Sequence, residues 1–272
     1  MIRKIVSTIL VVISLSTNAQ SSISTSQALN LVSKQSTLCE RLTKEKILTA
    51  TSSEDKKTDL NLHIIQFEKN NSILKQSNLP KEIESQLTNI EMLWYGFKQK
   101  LQEKNVASID KTLEFNNTIS KQCEGVFNSL LAYAKEENKY PYNSSVENLA
   151  DVYQSANTVK FLSQKLASHY MAYYSREVIY DAELFDNILE GIDVKVNELT
   201  LGQDSSPVVL AKTNTLLADW NALIGDVKPA TESNFVNTPS YPNPDVISKR
   251  CDALMKNADS LIRLYKQTSD TN

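Results

Sequence analysis

The 272-residue sequence has little glycine and proline and no surplus of positive charge. Its 5 glycines and 7 prolines are typical of long helices joined by few turns. The formal net charge of -3 argues against a non-specific nucleic-acid binder, which needs a basic face. No segment alternates apolar and polar residues for long enough to indicate a strand. We therefore expect an all-α protein that does not bind nucleic acid.

The sequence also lacks the common catalytic and metal-binding motifs. It has no His-Glu-x-x-His helix, CxxC pair, glycine-rich phosphate loop or nucleophile elbow. Only two histidines occur, His63 and His169, and His169 lies on the apolar side of its helix. A core histidine satisfied by hydrogen bonds is a better interpretation of His169 than a ligand or a base. We expect no enzyme, no cofactor and no metal site.

Three cysteines, Cys39, Cys123 and Cys251, leave at least one thiol without a partner inside the chain. A bridge between Cys39 and Cys123 requires their helices to be neighbours. The alternative is that all three are small buried residues on helix faces.

The N-terminus has the pattern of a secretory signal peptide. Arg3 and Lys4 precede the short apolar run 5–15, and small residues follow at 17–19. The pattern predicts a signal peptide over 1–19. An uncleaved anchor is the alternative, but the apolar run is too short to span a bilayer comfortably. We expect a secreted or periplasmic protein that is not inserted in a membrane after cleavage.

The rest of the chain resembles a duplication. Landmarks recur in one order at offsets of 124 to 128 residues, which is difficult to reach by chance. The matching pairs are 38–43 with 162–167, Pro80 with Pro207, Trp94 with Trp220, and 119–124 with 247–252. The recurrence predicts two tandem four-helix modules, at 20–140 and 141–272, which lie either end to end or side by side.

Helix periodicity and turn residues divide each module into four helices. The predicted helices fall near 25–50, 54–77, 80–104, 108–137, 145–176, 178–200, 206–225 and 244–268. The predicted breaks include a cap at 51–53 and a module boundary at 138–143. Because four of the seven prolines fall in 225–244, we expect an extended loop there.

The first predicted helix places polar and cationic residues beside an apolar stripe. The stripe consists of Leu31, Gln35, Leu38 and Leu42, at the spacing of a helix that faces a bundle core. The polar residues are Asn30, Lys34, Thr37, Arg41 and Lys44. Cationic groups that are partly desolvated bind anions through charge-assisted hydrogen bonds. An ordinary solvated face is the alternative interpretation.

This segment resembles the signature of the type IV pili methyl-accepting chemotaxis transducer N-terminal domain family (PilJ-like), which is related to nitrate/nitrite sensor domains. The family's run reads approximately Asn-x-Ala-Gly-Arg-Gln-Arg-Met-Leu-Ser-Gln-Arg-Met. The first copy matches it at Asn30, Gln35, Leu38 and Arg41, with Lys34 for the first Arg. The second copy matches it at Ala156, Leu162, Ser163, Gln164 and Ala167, with Lys160 and Lys165 for Arg.

The resemblance implies a helical sensor or ligand-binding protein. In the related nitrate sensors, an Arg of this run holds the anion between paired first helices, and its position falls on Ser36 and Lys160 here. We therefore expect a ligand site whose residues recognise the ligand. These residues are Lys34, Gln35, Arg41, Lys160, Gln164 and Lys165. The expected partner is a small anion or a signalling protein. A structural or protein-interaction module without a small ligand is the alternative, and the oligomeric state is left open.

Overall fold

The computed structural model describes residues 23–51, 59–103, 108–136, 149–201, 206–235 and 240–269. Within these ranges the chain forms eight α-helices and no strand. The helices are α1 (Thr25–Thr51), α2 (Leu60–Lys75), α3 (Lys81–Gln102), α4 (Ile109–Glu136), α5 (Leu149–Tyr174), α6 (Ala182–Leu201), α7 (Pro207–Glu232) and α8 (Pro244–Ser269). The predicted all-α helical bundle is confirmed. The predicted signal peptide and module boundary lie outside the described residues.

Helix packing places the two halves of the chain side by side. In the first half α1 packs against α2 and α4, and α3 also packs against α4. In the second half α5 packs against α6 and α8, and α7 also packs against α8. The main contact between the halves joins α1 to α5. The two segments that carry the motif copies are therefore neighbours.

The central position of α1 buries polar residues that amphipathic periodicity does not assign to a core. Lys44, Glu45 and Lys46 are all buried, because α2, α4 and α5 surround the helix. Buried charges need partners. Lys44 pairs with Asp252 of α8 at 2.7 Å, and Lys46 donates a hydrogen bond to the backbone oxygen of Glu103.

Both halves contain the same tryptophan contact. The Trp94 Nε1 donates to Glu68 Oε1 at 3.0 Å, and the Trp220 Nε1 donates to Asp193 Oδ1 at 2.8 Å. In each case the acceptor lies on the second helix of its half and the indole on the third. A duplicated chain is expected to contain such matching contacts. The duplication itself stays a prediction.

The expected loop over 225–244 is wrong for its first part, because α7 continues to Glu232 through Pro229. A proline inside a helix removes one backbone hydrogen bond. Here it lies in the last part of the helix, and Val227 and Ala230 on either side of it are fully buried. Burial of this apolar surface outweighs the lost hydrogen bond. The chain turns only afterwards, where Phe235 adopts a positive φ.

Three other helix ends differ from the prediction. The second helix begins at Leu60 rather than 54, and the predicted cap at 52–53 lies outside the described residues. Pro80 is the residue before α3, whereas Pro207 begins α7 as expected. Helix α6 begins at Ala182 rather than 178, at the point where Asp181 Oδ1 accepts from the backbone N–H of Leu184 at 3.0 Å and caps the helix.

The three cysteines are buried and unbridged. His169 is buried as expected, but neither ring nitrogen has a hydrogen-bond partner among the described residues, so the expectation of a hydrogen-bonded histidine is wrong. Burial and the nearby Lys165 lower the pKa of His169 to about 3, which keeps its ring neutral in the core.

None of the described helices is both long enough and sufficiently apolar to cross a membrane.

Candidate functional site

A cavity of about 360 Å3 lies beside the α1–α5 contact and is also lined by α2 and α8. We call it the cationic groove. It is lined by Lys34, Thr37, Leu38, Arg41, Gln66, Asn70, Lys160, Met255, Lys256, Asp259 and Arg263. Five of these side chains are cationic and one is acidic, although the whole chain has a net charge of -3. The volume is within the range of small-molecule sites.

Lys160 is the buried cation of the cationic groove. Only 5% of its surface is exposed, and its Nζ contacts Asp259 Oδ1 at 2.9 Å and Asn157 Oδ1 at 3.4 Å. Burial lowers the pKa of Lys160, and Asp259 partly offsets this effect. Ser33 of α1 also donates to Asn157 Oδ1, which fixes the amide that faces the lysine.

Asp259 is the point on which three cations converge. Its Oδ2 lies 3.2 Å from Arg263 Nη2, and its Oδ1 accepts from Lys160. Burial raises the pKa of Asp259, but the charges of Lys160, Arg263 and Lys34 outweigh this effect and lower it. Lys34 and Arg263 in turn disfavour the charge on Lys160. The single negative charge of Asp259 therefore cannot neutralise all three cations.

The other two cations of the cationic groove have no acidic partner in the part of the chain that the structure describes. The buried Nε of Arg41 has no hydrogen-bond partner there, and Lys256 is exposed at the rim. A buried guanidinium nitrogen without an acceptor is costly. Arg41 and Lys256 both line the cationic groove, so their charges face an anion that binds there.

A second cavity, of about 190 Å3, lies on the opposite side of the α1–α5 contact, and we call it the polar groove. It is lined by Ser33, Ser36, Glu124, Phe127, Asn128, Gln154, Asn157, Thr158 and Phe161. In the predicted repeat register, Ser36 takes the place of Lys160, and Asn128 that of Lys256. No described residue that lines this cavity is cationic.

Three of the six residues expected at a ligand site meet in the cationic groove. Lys34 and Arg41 come from the first motif copy and Lys160 from the second, so both copies contribute to one cavity. Because these side chains line one cavity and Lys160 is buried, a shared site is compatible with the structure.

The other three expected residues lie elsewhere. Gln35 is buried and donates to the backbone oxygen of Phe67 at 3.2 Å. Gln164 is buried and donates to Asp252 Oδ1 at 3.1 Å. Lys165 lies 5.9 Å from the ring centre of Phe161. These contacts give the two glutamines structural roles and place Lys165 outside the lining of the cationic groove.

The sequence analysis did not include the contribution of α8. Lys256, Asp259 and Arg263 follow one another at i, i+3 and i+7 along one helix face, the spacing that aligns side chains toward one neighbour. That spacing is visible in the sequence. The packing of α8 against the motif helix α5 is not, because it depends on tertiary contacts.

A buried acid, Glu40, lies between the halves. Ser120 of α4 donates to its Oε1 and Ser168 of α5 to its Oε2, each at 3.4 Å. Burial raises the pKa of Glu40 to about 7, although the charge of Lys165 and the hydrogen bonds act in the opposite direction. No group of three potential metal ligands occurs among the described residues.

Comparisons with protein-family models, with curated proteins and with solved structures find no match to this chain. The resemblance to the PilJ-like family therefore rests on the two motif copies alone.

Proposed function

We propose that the protein is an exported, PilJ-like helical ligand-binding protein that holds a small anion in the cationic groove. The observation that carries this proposal is the meeting of Lys34, Arg41 and Lys160, from both motif copies, in one cavity. The role of these residues is recognition rather than bond-making. A sensor function follows if the anion changes how α1 and α5 pack, since the cavity lies beside their contact.

The physical basis is uncompensated positive charge in a partly desolvated cavity. Asp259 neutralises part of the charge of Lys160 and Arg263, while Arg41 retains a buried donor without an acceptor. Charge-assisted hydrogen bonds are stronger than neutral ones, and partial burial reduces their screening by solvent. An anion bound there satisfies donors that the fold leaves open.

A thermal-shift titration tests the proposal on residues 20–272, which include every described helix. The ligands are nitrate, nitrite, sulfate and phosphate at constant ionic strength. At 100 times the dissociation constant, binding to the folded state stabilises it by about 2.7 kcal/mol. For a chain of this size we expect the melting temperature to rise by roughly 5–10 °C.

Lys160→Ala should abolish the rise in melting temperature, because it removes the buried cation. Lys249→Ala is the matched control, since Lys249 is an exposed lysine of α8 outside the lining of the cationic groove. If no anion raises the melting temperature, or if Lys160→Ala responds like the control, the proposal is wrong.

A protein-interaction module is the second candidate. Four large apolar side chains of α2 and α3 are more than half exposed: Leu62 at 51%, Ile65 at 61%, Met92 at 66% and Tyr95 at 69%. Exposed apolar side chains favour protein contact when they form a patch. This candidate predicts that Ile65→Lys and Tyr95→Lys abolish a cross-link to a partner in cells and leave the response to anions unchanged.

A further inference from the structure

The cations of the cationic groove occupy two ends of it rather than one point. Lys34 and Arg41 lie seven residues apart on α1, and Lys256 and Arg263 lie seven residues apart on α8. Seven residues of an α-helix advance by about 10 Å along its axis. A monatomic or nitrate-sized anion is much shorter than this distance.

The contacts between α1 and α8 show which cations share an end. Lys44, late in α1, pairs with Asp252, early in α8. Lys34, early in α1, acts on Asp259, further along α8. The two helices therefore run antiparallel. One end of the cationic groove combines Lys34 and Arg263 with the buried Lys160, and the other combines Arg41 with Lys256.

Apolar side chains also line the cationic groove. Leu38 lies beside Thr37 between Lys34 and Arg41 on α1, and Met255 precedes Lys256 at the other end of the α8 lining. Leucine and methionine side chains favour contact with methylene groups over hydroxyl groups, which would lose hydrogen bonds to water. This arrangement suits a ligand with charged ends and an aliphatic centre.

We infer that the cationic groove binds a linear organic dianion, an aliphatic dicarboxylate, with one carboxylate at the Lys34–Lys160–Arg263 end and the other at the Arg41–Lys256 end. This inference rests on the proposed function and specifies its ligand class. Asp259 already occupies part of the first end, so the second carboxylate contributes most at the end that Arg41 and Lys256 line. A ligand with one charge satisfies only one end.

Isothermal titration calorimetry on the same preparation, residues 20–272, tests this inference. The probes are linear dicarboxylates from succinate to sebacate, each compared with the monocarboxylate of equal chain length, and nitrate and hexane-1,6-diol bisphosphate complete the series. We expect an optimum in length, at which the dicarboxylate binds at least tenfold more tightly than its monocarboxylate. Nitrate should bind more weakly than the best dicarboxylate.

Variants at the second end should remove the advantage of the second carboxylate. In Arg41→Gln with Lys256→Gln, we expect the dicarboxylate-to-monocarboxylate ratio to fall to about one or two, while monocarboxylate binding changes less than about threefold. Lys249→Gln, seven residues from Lys256 on the same helix, is the matched control. Circular dichroism confirms that each variant is folded.

The outcomes separate this inference from the proposed function. If nitrate or monocarboxylates bind as tightly as every dicarboxylate, the two-ended ligand is wrong and the anion site remains. If the bisphosphate binds more tightly than every dicarboxylate, the assignment to carboxylates is overturned. If no anion binds at all, both the inference and the proposed function fail.

Discussion

The cationic groove and the polar groove flank the same α1–α5 contact but differ in charge. Where the cationic groove has Lys160 and Lys256, the predicted repeat register places Ser36 and Asn128 in the polar groove. In the predicted repeat, the helices α1, α4 and α5 around the polar groove correspond to α5, α8 and α1 around the cationic groove, which α2 also lines. The comparison teaches that the scaffold alone does not concentrate positive charge in a cavity, and that a few side chains on one side do.

Acids surround the polar side of the contact in place of cations. Glu124 lines the polar groove, and burial raises its pKa. Glu40 is fully buried between the halves. Lys165, which occupies the motif position of Arg41, acts electrostatically on both of these carboxyls. On this side the motif cation compensates internal acids, so it is not available to a ligand.

The largest predicted effect is on the free energy of unfolding, for Glu40→Gln at the buried acid between the halves. The pKa of Glu40 is about 7 in the folded protein and about 4.3 in an unfolded chain. Below the lower value the carboxyl is neutral in both states, and its full contribution to stability is present. That contribution is lost as the pH rises through 7. At pH 8 the variant should be more stable by about 4 kcal/mol, at about 1.4 kcal/mol for each unit of difference between the two pKa values.

Urea unfolding from pH 4 to 8 measures this effect, and two variants serve as its controls. The folded-state pKa of His169 is about 3, so His169 makes the free energy of unfolding fall as the pH drops below about 6.5. His169→Phe should remove this pH dependence, which is opposite in sign to that of Glu40. Glu124→Gln should have a smaller effect, since Glu124 is only partly desolvated where it lines the polar groove, whereas Glu40 is fully buried. Parallel stability curves for Glu40→Gln and the unaltered chain would exclude a buried titrating Glu40.

The helical class was predictable from sequence because periodicity and scarce turn residues act locally. The motif copies also indicated Lys34, Arg41 and Lys160. Gln35 and Gln164 also belong to the motif copies. Tertiary packing directs them instead into hydrogen bonds with Phe67 and Asp252.

The parts of the structure that sequence analysis missed depend on which helices become neighbours. Asp259 and Arg263 belong to the cationic groove only because α8 packs on α5. The continuation of α7 through Pro229 depends in the same way on the burial of Val227 and Ala230. Intrinsic helix propensity depends on the local sequence alone and therefore predicts neither effect.

A second prediction sharpens the comparison by making the cationic groove more positive. Asp259→Asn removes the internal carboxylate that competes with a bound anion, and the equivalent position in the other half is the apolar Leu131. We expect anion affinity to rise about tenfold, or about 1.4 kcal/mol, measured by calorimetry. Without an anion the variant should be less stable, because the buried Lys160 loses its counter-ion.

The control for Asp259→Asn is Asp245→Asn, at the start of α8 and outside the lining of the cationic groove. It should leave anion affinity unchanged. Equal or weaker binding by Asp259→Asn would show that the carboxylate positions the cations for the ligand and does not compete with it.

The smallest predicted effect compares the two halves through their matched tryptophans. The Trp94 Nε1 shares its acceptor, Glu68 Oε1, with Lys98, whose Nζ lies 2.6 Å from the same atom. Trp220 donates to Asp193 Oδ1, while Asn197 donates to the other oxygen, Oδ2. An acceptor that serves a cation and an indole together bonds each less favourably than one that serves the indole alone.

Double-mutant cycles in urea, pairing Trp→Phe with removal of the acid to Ala, isolate each hydrogen bond from the loss of packing. We expect a coupling free energy of about 1 kcal/mol for Trp220 with Asp193. For Trp94 with Glu68 we expect about half that value, and Lys98→Met should raise this coupling to the value for Trp220 with Asp193. Equal couplings in both halves, unchanged by Lys98→Met, would show that the lysine does not compete and that the two contacts are energetically alike.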